Sequence, residues 1–136
     1  MYLLDTNVIS ETRRPSRHGA VLAWLAGQPA NTVFLPSIAF LELQRGVELT
    51  RLQNPDKARE IERWVDEVAK TANILSFDIS AARDYSRFAS RKPEFVSEDA
   101  MIAAIARTQG LTVATRNIRD FKNLDVPTIN PFEYRS

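Results

Sequence analysis

Four acidic positions in this chain stand where a carboxylate calls for an explanation. Asp5 follows the apolar run Tyr2-Leu3-Leu4 directly, and Thr6 and Asn7 come next before Val8 and Ile9 resume the apolar pattern. Glu42 lies inside "SIAFLELQRG", four residues after Ile38, so a helical reading puts it on the face of Ile38 and Leu49. Asp99 opens the most apolar helical stretch, "EDAMIAAIARTQG", where free amides and the helix dipole favour an anion. Asp120 comes three residues after Asn117 in "RNIRDF".

Each has an ordinary account. Asp5-Thr6-Asn7 serves as a helix cap, Glu42 pairs with Arg45 along its own helix, Asp99 is a first-turn acid and Asp120 a loop residue. Together they present several acids to a core or cleft, with too few internal cations to neutralise them. Burying an unpaired carboxylate is costly. A divalent cation resolves the conflict, because magnesium and manganese take carboxylate oxygens, keep several waters and need only one or two direct protein carboxylates.

The elements that position these acids read from hydrophobic periodicity and turn residues. Tyr2–Leu4, Thr32–Pro36, Asn73–Phe77, Leu111–Thr115 and Val126–Asn130 read as strands. A helix within Asn7–Arg13 is interrupted by Pro15, and Val21, Trp24 and Leu25 fall at helical spacing before Gly27 and Pro29. Ser37 is the expected cap of a helix over Ile38–Leu49. Beyond Asn54-Pro55-Asp56, the residues Ala58, Ile61, Val65, Val68 and Ala72 form one apolar stripe. Ser80 is the expected cap of a helix that carries Ala82, Tyr85, Phe88 and Ala89 inward. Ser97 caps the last long helix, and Gly110 ends it. Strands alternating with helices predict an α/β fold with a mostly parallel sheet. Ligands of such a sheet bind beyond the carboxyl ends of its strands, where Asp5, Asn117 and Asp120 fall.

Composition narrows the chemistry further. The 136 residues fit one domain, 1–136, with a single core. The net charge of +1 gives no bulk attraction to nucleic acid, so any such role rests on local clusters. Without cysteine there are no disulfides, thiol nucleophiles or thiolate metal sites. One histidine, His18, excludes multi-histidine zinc sites, and it follows an arginine-rich loop with no acid to orient it as a base. No stretch is long and apolar enough for a membrane span, and the N-terminus lacks a basic start and an apolar secretory run. A soluble, cytoplasmic protein without membrane attachment is the expectation.

The segments "LLDTNVISE", "SIAFLELQRGVE", "SEDAMIAAIARTQGLTVATRNIRDF" and "INPF" resemble, in order and across nearly the whole chain, the PIN-domain ribonucleases. The likeness is greatest to the toxins of VapBC-type toxin–antitoxin pairs, in the branch that includes FitB and the plasmid-stability proteins. The resemblance implies a PIN-like three-layer sandwich whose central, mostly parallel sheet is flanked by helices. It also implies an acidic pocket that binds Mg²⁺ or Mn²⁺ and cleaves RNA endonucleolytically, leaving 5′-phosphate and 3′-hydroxyl ends. Asp5, Glu42 and Asp99 match the family's first three acids, with Asp5 and Asp99 as metal ligands. Many relatives carry aspartate where this chain has Asn117, so Asp120 either replaces that ligand, acts through water or holds the loop. Thr6, Asn7, Thr115 and Asn117 resemble the polar residues that orient the acids.

The implied partners are an RNA substrate, a cognate antitoxin that wraps the toxin and inserts an arginine among the acids, and a second copy in a homodimer. Operator DNA is reached only through the antitoxin, in a higher assembly. Trp24, Phe40 and Trp64 read as core before interface. Arg13, Arg14 and Arg17 cluster after the first acid, and Arg116, Arg119 and Lys122 surround the last, so both groups are candidate RNA-phosphate contacts. Arg83, Arg87 and Arg91 recur every four residues as a basic stripe, for which a solvated helix face is the ordinary account.

Rival readings fit less well. A haloacid-dehalogenase-like phosphotransferase needs an acid where Asn7 stands, and a receiver domain needs a lysine where "VATRN" supplies arginine and asparagine. A catalytically weak PIN-like protein that binds RNA or a partner stays open because of Asn117.

Overall fold

The computed structural model describes residues 1–14 and 18–135. Its centre is a five-stranded sheet in which every neighbouring pair is parallel. The strands are β1 (Tyr2–Leu4), β2 (Val33–Pro36), β3 (Ile74–Leu75), β4 (Thr112–Ala114) and β5 (Thr128–Ile129), in the order β3-β2-β1-β4-β5. β1 has the bounds of the apolar run that announces it, and the other four are shorter than theirs. β1 is central, with Tyr2 opposite Val33 on one side and Thr112 on the other.

Successive side chains of a strand point to opposite faces, and two dipeptides use this to build two cores. Leu3 and Val113 enter a core with Ala81, Phe88, Ile102, Ile105 and Phe121. Leu4 and Ala114 enter the other, with Val8, Trp24, Leu43, Val47 and Val65. Burying a leucine fully contributes about 1.5–3 kcal/mol, so β1 anchors both layers.

The helices are α1 (Thr6–Glu11), α2 (Gly19–Ala26), α3 (Ser37–Arg51), α4 (Pro55–Thr71), α5 (Ile79–Arg91), α6 (Glu98–Gln109) and the single turn α7 (Ile118–Phe121). α1 to α4 cover one face, and α5 to α7 the other. Five consecutive buried residues, Ile102–Ala106, with Ala100 buried beyond the half-buried Met101, make α6 the most enclosed helix. Gly110 stops it in the left-handed conformation, φ 67°. No helix among the described residues is long and apolar enough to cross a membrane.

Two expected caps belong elsewhere. Asp78, not Ser80, caps α5: its Oδ1 accepts from the Ala81 amide at 2.9 Å, and Ser80 is already the second residue of the helix. Ser37 is the first residue of α3, and its hydroxyl accepts from the Phe77 amide at 3.0 Å, which ties the end of β2 to the segment after β3. Ser97 caps α6 as its position predicts, accepting from Ala100 at 3.1 Å. Pro15 and Arg17 lie outside the described residues.

Candidate active site

Asp5 leaves β1 at its carboxyl end and is only 4% exposed. It is both a cap and a held carboxylate. Its Oδ1 accepts from the Thr6 amide at 2.8 Å, while Oδ2 accepts from Asn7 Nδ2 at 3.0 Å and Thr115 Oγ1 at 2.8 Å. Thr115 is fully buried at the end of β4, and its hydroxyl in turn accepts from the Asn117 amide at 2.9 Å. Asn7 Oδ1 accepts from the Arg116 amide at 3.0 Å. The polar residues around Asp5 therefore fasten the loop after β4 to the loop after β1, and they fix the orientation of the carboxylate.

Glu42 reaches the same hollow from α3. The buried face of α3 is Ala39, Leu43 and Val47, so Glu42 flanks the core instead of lying within it. It shares a side with Ile38, which packs in the core beneath α6, whereas Leu49 is 61% exposed, past the shelter of that layer. The expected pair with Arg45 does not form. Arg45 binds Glu98 of α6 at 2.8 Å, because α3 and α6 run side by side here and Glu98 offers the nearer oxygen.

The electrostatics show which acids are neighbours. Burial pushes Glu42 up to about 7, assisted by the negative charges of Asp5, Glu98 and Asp99, with the Glu98 carboxyl within hydrogen-bonding reach. Asp99, in the first turn of α6, is pushed up to about 6 by burial and then by Asp5, Asp120 and Glu98. Asp5 is raised by burial, against three hydrogen bonds that lower it, and Asp120 adds repulsion. Asp5 at the end of β1 thus shares charge repulsion with Glu42 of α3, Asp99 of α6 and Asp120 of α7. Glu98 was not singled out in the sequence, although it directly precedes Asp99; its partner across the hollow is visible only in three dimensions.

The donor set fits a divalent cation of the magnesium type. All donors are oxygens, and Thr6 Oγ1 is buried beside them without a hydrogen-bond partner. Among the described residues, no three acidic or histidine side chains close on a point tightly enough to enclose an ion alone. Two direct carboxylates with a largely retained water shell is the coordination that magnesium prefers.

The remaining candidates divide. Asn117 is exposed and directly precedes α7, and Asp120, also exposed, lies near enough to raise Asp5 and Asp99. Arg13 stands 5.9 Å from the Trp64 ring and shares with Thr6 and Glu42 the wall of a groove of about 260 Å³. Arg116 stacks 4.0 Å from the Phe132 ring, and Arg119 lines a cleft of about 420 Å³ with Asn117 and Asp120. Arg14 lies 3.8 Å from the buried Glu11. His18 is half-buried, its ring edge against Phe132, with Nδ1 lacking a partner, so it is a packed residue and not a loop surface one. Trp24 is core, and Phe40 and Trp64 are half-buried against it.

Short parallel strands, an acid at the end of the central one and further acids delivered by α3 and α6 are the arrangement of a PIN domain. The PIN domain model matches residues 2–127, and the chain belongs to that family. Plasmid stability protein StbB of Pseudomonas syringae pv. tomato is 39% identical, over 98% of this chain and 99% of that protein. Toxin FitB of Neisseria gonorrhoeae is 37% identical over 97% and 99%, and the crystal structure of FitAcB from that organism matches with a TM-score of 0.78 at 35% identity, covering 98% of this chain and 99% of that one. VapC ribonuclease Y4jK of Sinorhizobium fredii is 36% identical over 98% and 99%.

Proposed function

We propose that this protein is a metal-dependent endoribonuclease and the toxin of a VapBC-type toxin–antitoxin pair. The observation that carries the reading is a buried Asp5 held at the end of β1 by Thr115 and Asn7, with Glu42 and Asp99 raised by burial and by the charge of Asp5 beside them. The full-length relatives named as toxin and ribonuclease support it.

Asp5 and Asp99 would hold Mg²⁺ or Mn²⁺, which when bound acidifies a coordinated water and offsets negative charge on the phosphate. Thr115 and Asn7 hold Asp5 Oδ2 in place, so the carboxylate need not reorganise during turnover. Glu42, raised to about 7, is poised to take a proton from the attacking water near neutrality. As the bond between phosphorus and the 3′ oxygen breaks, that oxygen takes up a proton and leaves as a hydroxyl, and the phosphate stays on the 5′ side. Asp120 occupies the role that aspartate at the position of Asn117 fills in many relatives. Arg13, Arg14, Arg116 and Arg119 border the hollow as phosphate contacts.

The partners proposed are a cognate antitoxin, which brings any operator DNA contact, and a second copy of the chain. The groove shared by Arg13, Glu42 and Trp64 leads to the acids and offers an antitoxin segment a route to them.

The test is incubation of purified protein with total cellular RNA, with and without Mg²⁺, beside Asp5→Asn. Cleavage that needs metal and disappears in the variant supports the nuclease, and end mapping identifies the RNA. Cleavage that persists in the variant, or RNA binding with no cleavage under any metal, overturns it in favour of a binding protein.

A further inference from the structure

The basic residues of α5 are not used by the acidic hollow. Arg83, Arg87 and Arg91 are exposed, and none forms an ion pair among the described residues. Where that row ends, Arg91 and Lys92 meet Lys122 around an open cavity of about 320 Å³, completed by Phe88, Asn123 and Asp125. One wall is the last turn of α5, and the other is the loop that follows α7. Asp125 is the one carboxylate in the lining, and neither lysine nor Arg91 is in ion-pair contact with it.

A rigid contact beneath the cavity holds these walls together. Arg107 of α6 donates through Nε and Nη2 to Asp84 Oδ1 of α5, at 3.0 and 2.6 Å, and through Nη1 to the Leu124 carbonyl. Its guanidinium lies 4.8 Å from the Phe88 ring centroid, and the Lys92 ammonium 5.6 Å from the same centroid. α5, α6 and the loop are thereby fastened to each other, while the charges of Arg91, Lys92 and Lys122 stay unspent. Like charges held side by side repel, and an anion between them relieves the repulsion.

The cavity and the acids are linked through the short segment around α7. Lys122 follows Asp120 by two residues, and Asp120 is the acid of α7 that faces Asp5 and Asp99. Four residues of helix advance about 6 Å, close to the repeat of a nucleic-acid backbone, so the arginines of α5 are spaced for successive phosphates. We propose that the cavity binds a backbone phosphate of the RNA substrate outside the scissile position, and that the exposed side of α5 continues the track. This rests on the nuclease reading for the identity of the ligand. Arginine and lysine around a phosphate make charge-assisted hydrogen bonds that read no sequence.

The experiment measures binding of a fluorescently labelled single-stranded RNA oligonucleotide to the full chain carrying Asp5→Asn, across a salt series. Adding Arg91→Gln, Lys92→Gln and Lys122→Gln together is expected to weaken binding about fivefold per lost contact near about 0.1 M salt. The slope of log Kd against log salt should fall by about 0.7 per contact. Arg63→Gln, on the opposite layer, should change neither. Weakened binding with a lower slope supports the phosphate site even if the wild-type chain cuts no RNA, an outcome that would sink the nuclease reading alone. An unchanged Kd and slope overturn the phosphate site even if the wild type cuts RNA efficiently. So does a triple variant that loses only an acidic protein partner, since the cavity would then belong to that partner.

Discussion

Thr115 Oγ1 donates to Asp5 Oδ2 across 2.8 Å, so a hydroxyl at the end of β4 orients a carboxylate at the end of β1. Thr115 is fully buried, and its oxygen also receives the Asn117 amide.

Thr115→Val keeps the shape and removes the hydroxyl. The hydrogen bond lowers the affinity of Asp5 for its proton, so its loss raises an already raised acid and leaves the Asn117 amide unpaired. A stability loss of about 1–3 kcal/mol and a fall in RNA cleavage of about tenfold or more are expected. Thr115→Ser should recover most of the activity. Urea denaturation and cleavage kinetics check this, and wild-type activity in the valine variant would show that the hydroxyl does not orient Asp5.

Stability without metal should fall as pH rises. Glu42 moves from 4.5 to about 7 and Asp99 from 3.8 to about 6 on folding. Between about pH 4 and 7, the folded chain therefore holds protons that the unfolded chain has released, and ∂ΔG/∂pH is negative. Both acids are ionised in the folded state only once the pH is well above about 7, where their repulsion is fully expressed. Melting temperatures in the presence of chelator should decline over this interval, and Glu42→Gln or Asp99→Asn should flatten the decline. Mg²⁺ at about 100 times its Kd should restore about 2.7 kcal/mol at the alkaline end. Glu98→Gln removes a neighbouring charge and should move Glu42, and with it the rising limb of the cleavage profile, to lower pH.

Asp120 and Asn117 can be exchanged as a test of which position supplies the fourth acid. Asp120→Asn should raise the Mg²⁺ concentration for half-maximal cleavage by about tenfold. Asn117→Asp on that background should return it toward the original value. A Mg²⁺ titration of the cleavage rate reads both, and an unaltered titration in Asp120→Asn assigns Asp120 to the loop alone.

The layered fold was legible because its signals are local. The apolar runs ending at Leu4 and Ala114 mark strands, and Ser97 and Gly110 mark the two ends of α6 from chemistry within four residues of each. Asp5, Glu42 and Asp99 stood out for a similar reason, since a carboxylate beside an apolar run is conspicuous. What could not be read was pairing across the fold. Arg45 was within reach of Glu42 along one helix, and only the packing of α3 against α6 gives it to Glu98. The stripe on α5 likewise looked like a plain solvated face, because Lys122 joins it from a segment remote in sequence. Cap competition misled in the same way: Asp78 and Ser80 are both good caps, and the sequence alone does not rank them.

The Asp5 backbone amide donates to the Ala114 carbonyl at 2.9 Å, so the first acid made is held by one of the last strands made. During synthesis on a ribosome, Asp5 emerges early yet has no fixed orientation until residues near 115 have followed it out. A product that stops short of residue 114 therefore carries Asp5 without the carbonyl and the hydroxyl that hold it in place.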